Sequence, residues 1–445
     1  MREKEFLPLV KERFGIDEIN PMQKKMLEVS TQGSDIILLS PTGSGKTLAF
    51  LFAMLKYLKP ASGRLQAVII APSRELVLQI AKVTRQLASG YKVTELYGGH
   101  KVEDEVNSLS VVPDIVVATP GRLLDHARRR NIDLLPTRIL VLDEFDKTLE
   151  LGFEEEMEKI VKRLKNVSKT ILTSATRADV LPEFLKLDNP LTLDYLEENR
   201  QLRWRLAMHR VDSDGKDKLE TLYRLLLSLA DADGVIEKTI VFVNHRESAE
   251  RVAEFLRKRN VPVILYHGAL DQHKREMALA AFNNGSRPVL VATDLAARGI
   301  DIEKVRSVIH YHQALSKEAH THRNGRTARV ENNGDVFILV GPDEDVKEYV
   351  ETDDVYFPDY DGKTISGGDC HTLCFGEGKK EKISKGDILG FLVKEVGVPP
   401  EDVLKIDVFD HYALAGVLTD NPRRLAERAA KAKIKKRRVT VTLVE

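Results

Sequence analysis

The chain is short of cysteine, of net charge and of long apolar runs, and each shortage removes a class of protein. Two cysteines in 445 residues, Cys370 and Cys374, build no disulfide framework. Their C-x-x-x-C spacing beside His371 is an incomplete zinc set, so they read as structural thiols. The longest apolar run, LAFLFAML from Leu48 to Leu55, falls far short of the ~18 residues that suggest a membrane span. The opening MREKEFLPLVKERF is charged where a secretory leader would be apolar, so a cytoplasmic chain with no membrane partner is expected. Lys plus Arg and Asp plus Glu both number 68, and bulk charge therefore announces no polyanionic partner. The distribution is uneven, however. Residues 341–362 (GPDEDVKEYVETDDVYFPDYDG) are acidic, whereas KAKIKKRR, Lys431 to Arg438, is basic.

What is present describes an ordered chain. Apolar residues make up 42% and charged residues 31%, and the length suggests about three domains. Short apolar runs at 35–40, 67–72, 114–119, 138–143 and 169–176 alternate with helical patterns, which predicts a parallel sheet covered on both faces. An irregular region at 191–214 follows, after which runs at 238–243, 261–267, 288–294 and 305–311 resume the pattern. Between the first two of these, Ala249, Val252, Ala253 and Leu256 fall at the i, i+3, i+4, i+7 spacing of a one-sided helix. The expectation is two tandem parallel α/β domains, 1–200 and 201–345, then an acidic connector at 346–368. A small α+β unit at 369–445 completes the chain in strand-helix-strand-strand-helix-strand order, with helices in 384–397 and 421–432.

Two stretches carry chemistry. SPTGSGKT, Ser40 to Thr47, follows one predicted strand and opens a helix, the setting of a phosphate-binding loop. Backbone N–H groups of Thr42, Gly43, Ser44 and Gly45 would face phosphates, Lys46 would supply a point charge, and Thr47 would ligate Mg²⁺. LVLDEFDKTLELGF, Leu140 to Phe153, drives an apolar strand into an acidic cluster. With Lys46 present, Asp143 is the expected Mg²⁺ partner and Glu144 the group that orients or deprotonates water, so Mg·ATP answers the charge.

At this point the sequence resembles the DEAD-box RNA helicases over residues 1 to about 342. The motifs stand in family order: Gln23 in INPMQ with Phe6 upstream, SPTGSGKT, PSRELVLQ (72–79), GG (98–99), TPGR (119–122), DEFD (143–146), SAT (174–176), VATDLAARGID (291–301) and HRNGRTAR (322–329). The resemblance implies two RecA-like domains and an RNA-stimulated ATPase. It assigns adenine to Gln23 with Phe6 stacked on the ring, the ribose to Asp301, and arginine fingers to Arg326 and Arg329. Asp146, Ser174, Thr176 and His322 would couple hydrolysis to strand separation. RNA would be met by Arg74, Gly99, Thr119, Arg122, Gln272, Arg275 and Thr293. A guanidinium fork suits the charge that spreads over the γ-phosphoryl oxygens, so arginines from the second domain would gate hydrolysis by domain closure. Two positions depart from the family. Phe145 stands where it has alanine, and Ala328 where it has glycine. A Phe145 ring turned into the core preserves turnover; one turned into the cleft favours an ATP-regulated RNA clamp instead. The four histidines at 310, 312, 320 and 322 lack a nearby carboxylate-cysteine set, which argues against a metal.

The C-terminal order is that of an RNA recognition motif, but the stacking stretches are weak, offering Phe375 and Tyr412. This segment resembles the C-terminal domain of the DbpA family of bacterial helicases. The resemblance implies a grip on large-subunit ribosomal RNA and a pre-ribosomal particle as partner. Lys379, Lys380, Lys382, Lys435, Lys436, Arg437 and Arg438 would then supply phosphate contacts.

Overall fold

The computed structural model describes residues 3–41, 44–99, 101–177, 181–196, 206–294, 302, 305–327 and 334–444, with backbone only for 3–5. Two compact units divide near residue 201. No described helix is long and apolar enough to cross a membrane.

In the first unit the strands are β1 (Ile36–Leu39), β2 (Ala67–Ile70), β3 (Val93–Leu96), β4 (Ile115–Ala118), β5 (Ile139–Leu142), β6 (Lys169–Ser174) and β7 (Leu191–Asp194). They form one sheet in the order β3-β4-β2-β5-β6-β1-β7, parallel at every pair. Alternate side chains leave opposite faces of a strand. Ile36, Ile69, Val117, Val141 and Ile171 accordingly enter one core with the helices Lys46–Tyr57 and Arg74–Leu87. Ile70, Val116, Leu142 and Leu172 enter a second core on the other face. Continuous apolar strands are thereby explained, because both faces are buried.

The second unit repeats the plan with β8 (Leu206–Asp212), β9 (Thr239–Val243), β10 (Val263–Tyr266), β11 (Val289–Thr293), β12 (Ser307–His310), β13 (Gly334–Val340) and β14 (Asp354–Val355). Their order is β10-β11-β9-β12-β13-β8-β14. The one-sided helix forms as Arg246–Lys258, and its four spaced apolar residues are fully buried. The stretch expected to be irregular instead supplies β7 and β8 at its ends, both near the margins of sheets. Half-exposed strands carry polar residues on their outer face, so they lack the continuous apolar signature of central strands.

Acidic residues 346–368 are strapped to the second unit. Asp353 accepts the Met208 N–H at 2.8 Å, Asp354 pairs with His209 at 2.6 Å, and Lys363 donates to the Ser228 carbonyl at 2.9 Å.

In the same unit, β15 (Cys370–Phe375), β16 (Val403–Val408), β17 (Ala413–Leu418) and β20 (Val441–Leu443) make an antiparallel sheet in the order β16-β17-β15-β20. A two-stranded ribbon, β18 (Lys433–Ile434) with β19 (Arg437–Arg438), lies beside it in sequence. Helices Lys385–Lys394 and Pro422–Lys431 cover one face of the sheet through Ile388, Phe391, Leu392, Leu425 and Ala429. Phe375, one of the two aromatics in the weak stacking stretches, is fully buried on this face with its ring edge-on to Phe391. β15 alternation turns Phe375 inward and leaves Cys374 on the opposite face, where the helix Gln272–Asn284 packs.

Candidate nucleotide site and RNA-facing surface

A parallel sheet sends all its strand carboxyl ends to one edge, and ligands of such sheets bind there. In the first unit this rule collects segments far apart in sequence: 40–47 after β1, 72–79 after β2, 98–99 after β3, 119–122 after β4, 143–146 after β5 and 174–176 at the end of β6.

The loop after β1 is braced from the chain's first helices. Asn20 and Gln23 form a capping box at the start of the helix Pro21–Val29. The same side chains reach the loop, Asn20 Nδ2 donating to the Ser44 carbonyl at 2.9 Å and Gln23 Nε2 to the Gly45 carbonyl at 3.2 Å. Gly45 has φ +88°, and a Cβ there would meet Gln23 Nε2 at 2.5 Å, so only glycine fits. Lys46 opens the following helix, is buried, and donates to the Ser40 carbonyl at 2.9 Å, while Thr47 is half-buried. Thr42 and Gly43 lie outside the described residues. Phe6 is a correction to the expected adenine stack. Its ring is fully buried 4.9 Å from that of Phe52, because the apolar side of the first helix supplies the core.

The acids close the other side. Asp143 is buried and accepts from Thr173 Oγ1 at 2.5 Å. Burial pushes its carboxyl above the ordinary range, opposed by the Lys46 charge and the Thr173 hydroxyl. Glu144 sits in the left-handed region at φ +47°, ψ +51°, a conformation that costs about 1–3 kcal/mol and persists where the surroundings enforce it. Its N–H donates to Thr173 Oγ1 at 3.2 Å and its carbonyl accepts the Thr148 N–H at 3.0 Å. Phe145 is buried in the second core with Leu142 and Leu172, so its ring leaves the cleft. Asp146 accepts from Thr176 Oγ1 at 3.0 Å, and Ser174 Oγ accepts the Thr176 N–H at 3.1 Å, joining the acids to the end of β6. The second Asp146 oxygen is buried with no hydrogen-bond partner. A buried acid of raised pKa, an unmatched carboxylate oxygen and a glycine-only turn beside a lysine suit a triphosphate carrying a divalent cation.

Along the same edge, Arg74 lies over the Tyr97 ring at 4.7 Å and donates to the Gly98 carbonyl at 3.2 Å. Gly99 has φ +96°, and a Cβ would come within 2.3 Å of Arg74 Nη1. Arg122 Nε is shared between the Tyr97 carbonyl and Glu105, each at 3.0 Å. Arg74, Gly99 and Arg122 thus converge on one turn, and Thr119 caps the helix carrying Arg122 by position. Glu105 was not singled out by sequence. Buried, it also accepts from the Tyr97 N–H at 2.9 Å and meets His126 at 2.7 Å, with Asn131 on the far imidazole nitrogen. A lone glutamate on an amphipathic helix gives no local sign of such burial.

In the second unit, Thr293 ends β11, and Gln272 and Arg275 open the helix Gln272–Asn284. His322 and Arg326 are buried at and just after the helix Lys317–Asn324. Asp301 and Arg329, with Ala328, lie outside the described residues. Arg323, also overlooked, is almost fully buried and bound from every side. It reaches both Asp294 oxygens at 2.5 and 2.8 Å, the His312 carbonyl at 2.6 Å and Asn244 Oδ1 at 2.7 Å. His310 bonds Asn324 at 2.8 Å and is held well below its ordinary pKa, first by burial and then by the Arg323 charge. These histidines brace the arginine motif. Among the described residues no group of three His, Cys, Asp or Glu is arranged for a metal.

At the C-terminal domain all seven basic candidates are exposed. Lys435 Nζ donates to the Lys382 carbonyl at 2.7 Å and pairs with Asp387 at 2.7 Å, while Arg437 donates to the Glu381 carbonyl at 3.2 Å. Lys379 and Lys380 donate backbone N–H groups to the Phe409 and Asp410 carbonyls at 2.8 Å. The ribbon turn Lys435-Lys436 has φ +49° and +68°, and Lys382 has φ +63°.

A parallel sheet with a glycine-rich loop and an acid pair on one edge defines the P-loop nucleoside triphosphatase class. Residues 20–184 match the DEAD/DEAH box helicase family, 217–331 the helicase conserved C-terminal domain and 372–443 the DbpA RNA binding domain. ATP-dependent RNA helicase DbpA of Escherichia coli K12 is 31% identical over 419 residues, covering 90% of this chain and 88% of that protein. Mouse ATP-dependent RNA helicase DDX54 is 37% identical over 333 residues, 73% of this chain and 37% of its own length. Among solved structures, Mss116p bound to single-stranded RNA and AMP-PNP matches with a TM-score of 0.69 at 26% identity, covering 79% of this chain and 77% of that one. Saccharomyces cerevisiae Dbp5 bound to RNA and ADP-BeF3 matches at 0.65 and 26%, over 76% and 88%. The chain belongs to the DEAD-box ATP-dependent RNA helicases and ends in a DbpA-type RNA-binding domain. It is an enzyme that uses ATP and binds RNA.

Proposed function

We propose that this helicase opens short duplexes in large-subunit ribosomal RNA during ribosome assembly, anchored by its C-terminal domain. In this reading residues 1–200 hold the nucleotide, 201–345 contribute the arginines, 346–368 connect, and 369–445 select the RNA. One observation carries the targeting: three lysines, Lys382, Lys435 and Lys436, adopt φ > 0 on an exposed basic edge. A two-residue ribbon turn of this kind favours Asn-Gly. Lysines there accept backbone strain of about 1–3 kcal/mol each, which points to a role beyond the fold. Their charges, with Lys379, Lys380, Arg437 and Arg438, suit an RNA backbone.

For turnover, Thr47 and Asp143 would hold Mg²⁺, whose charge would stabilise the transferring phosphoryl group. Lys46 binds the β and γ phosphates, Glu144 orients or deprotonates the attacking water, and Gln23 meets the adenine edge. Asp301 meets the ribose, and Arg326 and Arg329 receive the developing charge. Asp146, Ser174, Thr176 and His322 transmit the step to Arg74, Gly99, Thr119, Arg122, Gln272, Arg275 and Thr293 along the RNA. Phe145 was the feature favouring a slow clamp, and its burial in the core removes that support. The test is the ATPase rate with a panel of ribosomal RNA fragments. One large-subunit fragment should stimulate at far lower concentration than the rest, and replacing Lys435, Lys436, Arg437 and Arg438 by Gln should erase that difference. Equal stimulation by every fragment would refute the targeting.

A further inference from the structure

The open face of the C-terminal sheet is not available as a platform for bases. Cys374, Leu414, Phe409 and Tyr412 pack on Met277, Ala280 and Ala281 of the helix Gln272–Asn284. At the far end of this contact, Thr372 bonds Ser286 at 2.7 Å and Cys370 Sγ donates to the Asn284 carbonyl at 2.9 Å. Gly416 permits the approach, since a Cβ there would lie 2.7 Å from Asn284 Cγ. At the near end, Tyr412 stacks on Phe409 with 4.6 Å between ring centroids and stands edge-on to His273 at 4.3 Å. Its hydroxyl donates to one oxygen of Glu276, and the other oxygen accepts from Gln272 Nε2 at 2.6 Å.

One Glu276 oxygen thus meets a residue of its own helix and the other a residue of the C-terminal domain. Glutamine has three rotatable side-chain bonds, and one hydrogen bond to a carboxylate that is itself tethered removes much of that freedom. We propose that Tyr412 and Glu276 are positioning residues that hold Gln272 for RNA, so that the C-terminal domain sets the RNA grip of the second RecA-like domain as well as choosing the target. The proposal rests on the assignment of Gln272 to RNA. It predicts that Tyr412 influences binding of RNA that lacks any C-terminal target, because its effect runs through the helix.

The experiment measures ATPase of the full chain against poly(A), separating the RNA concentration at half-stimulation from kcat at saturation. Tyr412→Phe keeps the ring contacts and removes only the hydroxyl. It should raise the half-stimulation concentration about 3- to 10-fold, the scale of one ordinary net hydrogen bond, with kcat retained. Gln272→Ala should do the same, and Tyr412→Phe added to it should have no further effect. Gly416→Val, which wedges the far end away from Asn284, should reproduce the Tyr412→Phe result. A general loss of packing would lower kcat or add to Gln272→Ala, and either outcome overturns the relay. If Gln272→Ala raises the half-stimulation concentration while Tyr412→Phe does not, the relay falls and the RNA assignment stands. If Gln272→Ala has no effect, the assignment falls and takes the proposal with it.

Discussion

Phe145 shows how one side chain can be alarming in sequence and harmless in the fold. β5 ends at Leu142, and the turn through Glu144 in the left-handed region opens the short helix Phe145–Glu150 with the Phe145 ring in the core beside Leu142. Phe145→Ala, which restores the family residue, should therefore leave turnover per folded molecule unchanged while destabilising the first unit by about 3–5 kcal/mol through the cavity it leaves. Urea unfolding alongside active-site titration checks both halves. Phe6 teaches the converse lesson, since sequence position suggested a nucleotide contact and burial made it core. Lys46 and Glu144 stand out in the sequence because the chemistry proposed for them needs a strand, a tight loop and a charge in that order. Lys46→Ala should abolish nucleotide binding by fluorescence titration, and Glu144→Gln should bind ATP yet accumulate a long-lived RNA complex.

Elements place these residues, and some of the placing groups carry no motif. Glu105 ties the Val102–Leu109 helix to Arg122 and His126, which stand on the next helix. Glu105→Gln should keep the Tyr97 contact but weaken the charge pairing with Arg122. The RNA concentration for half-stimulation should rise about 3- to 10-fold with ATP affinity unchanged, consistent with reducing a charge-assisted bond to a neutral one. At the basic ribbon, stability and function should separate. Lys436→Gly relieves a φ of +68° without touching the Lys435 contacts, so the C-terminal domain should gain about 1 kcal/mol in thermal unfolding while RNA binding weakens and its salt dependence becomes shallower. A purely structural ribbon would move only the first quantity.

At the scale of the whole molecule, buried histidines make the second RecA-like domain sensitive to acid. His312 is pushed down to about 4, chiefly by burial and then by Lys218, and His310 lies well below its ordinary value. The unfolded chain takes up these protons near pH 6.5 and the folded one does not. Stability is therefore full above about 6.5 and falls as pH is lowered toward 4, with a slope approaching one proton per histidine. A urea midpoint for this domain that is lower at pH 5 than at pH 7, with part of the difference removed by His312→Gln, is the expected outcome. Docking of the C-terminal domain adds a constraint at the same scale. Removing residues 369–445 would bare Ala280, Ala281 and Met277, so truncation is a poor test of targeting and substitutions in the intact chain are the proper one.

While the motifs assigned to RNA were legible only through resemblance to a family, composition and spacing alone were enough to indicate the parallel α/β plan, a glycine-rich loop after the first strand and an acid cluster after the fifth. These depend on local chemistry: continuous apolar runs for doubly covered strands, glycine where backbone meets phosphate, lysine one residue on. The strands β7 and β8, the inward turn of Phe145 and Phe6, the burial of Glu105 and Arg323, and the covering of the C-terminal sheet were decided only by tertiary structure. The physical reason is common to all of them. Whether a side chain is core, ligand or brace depends on what packs against it from remote segments, and Glu276 meets its partner Tyr412 across 136 positions of chain.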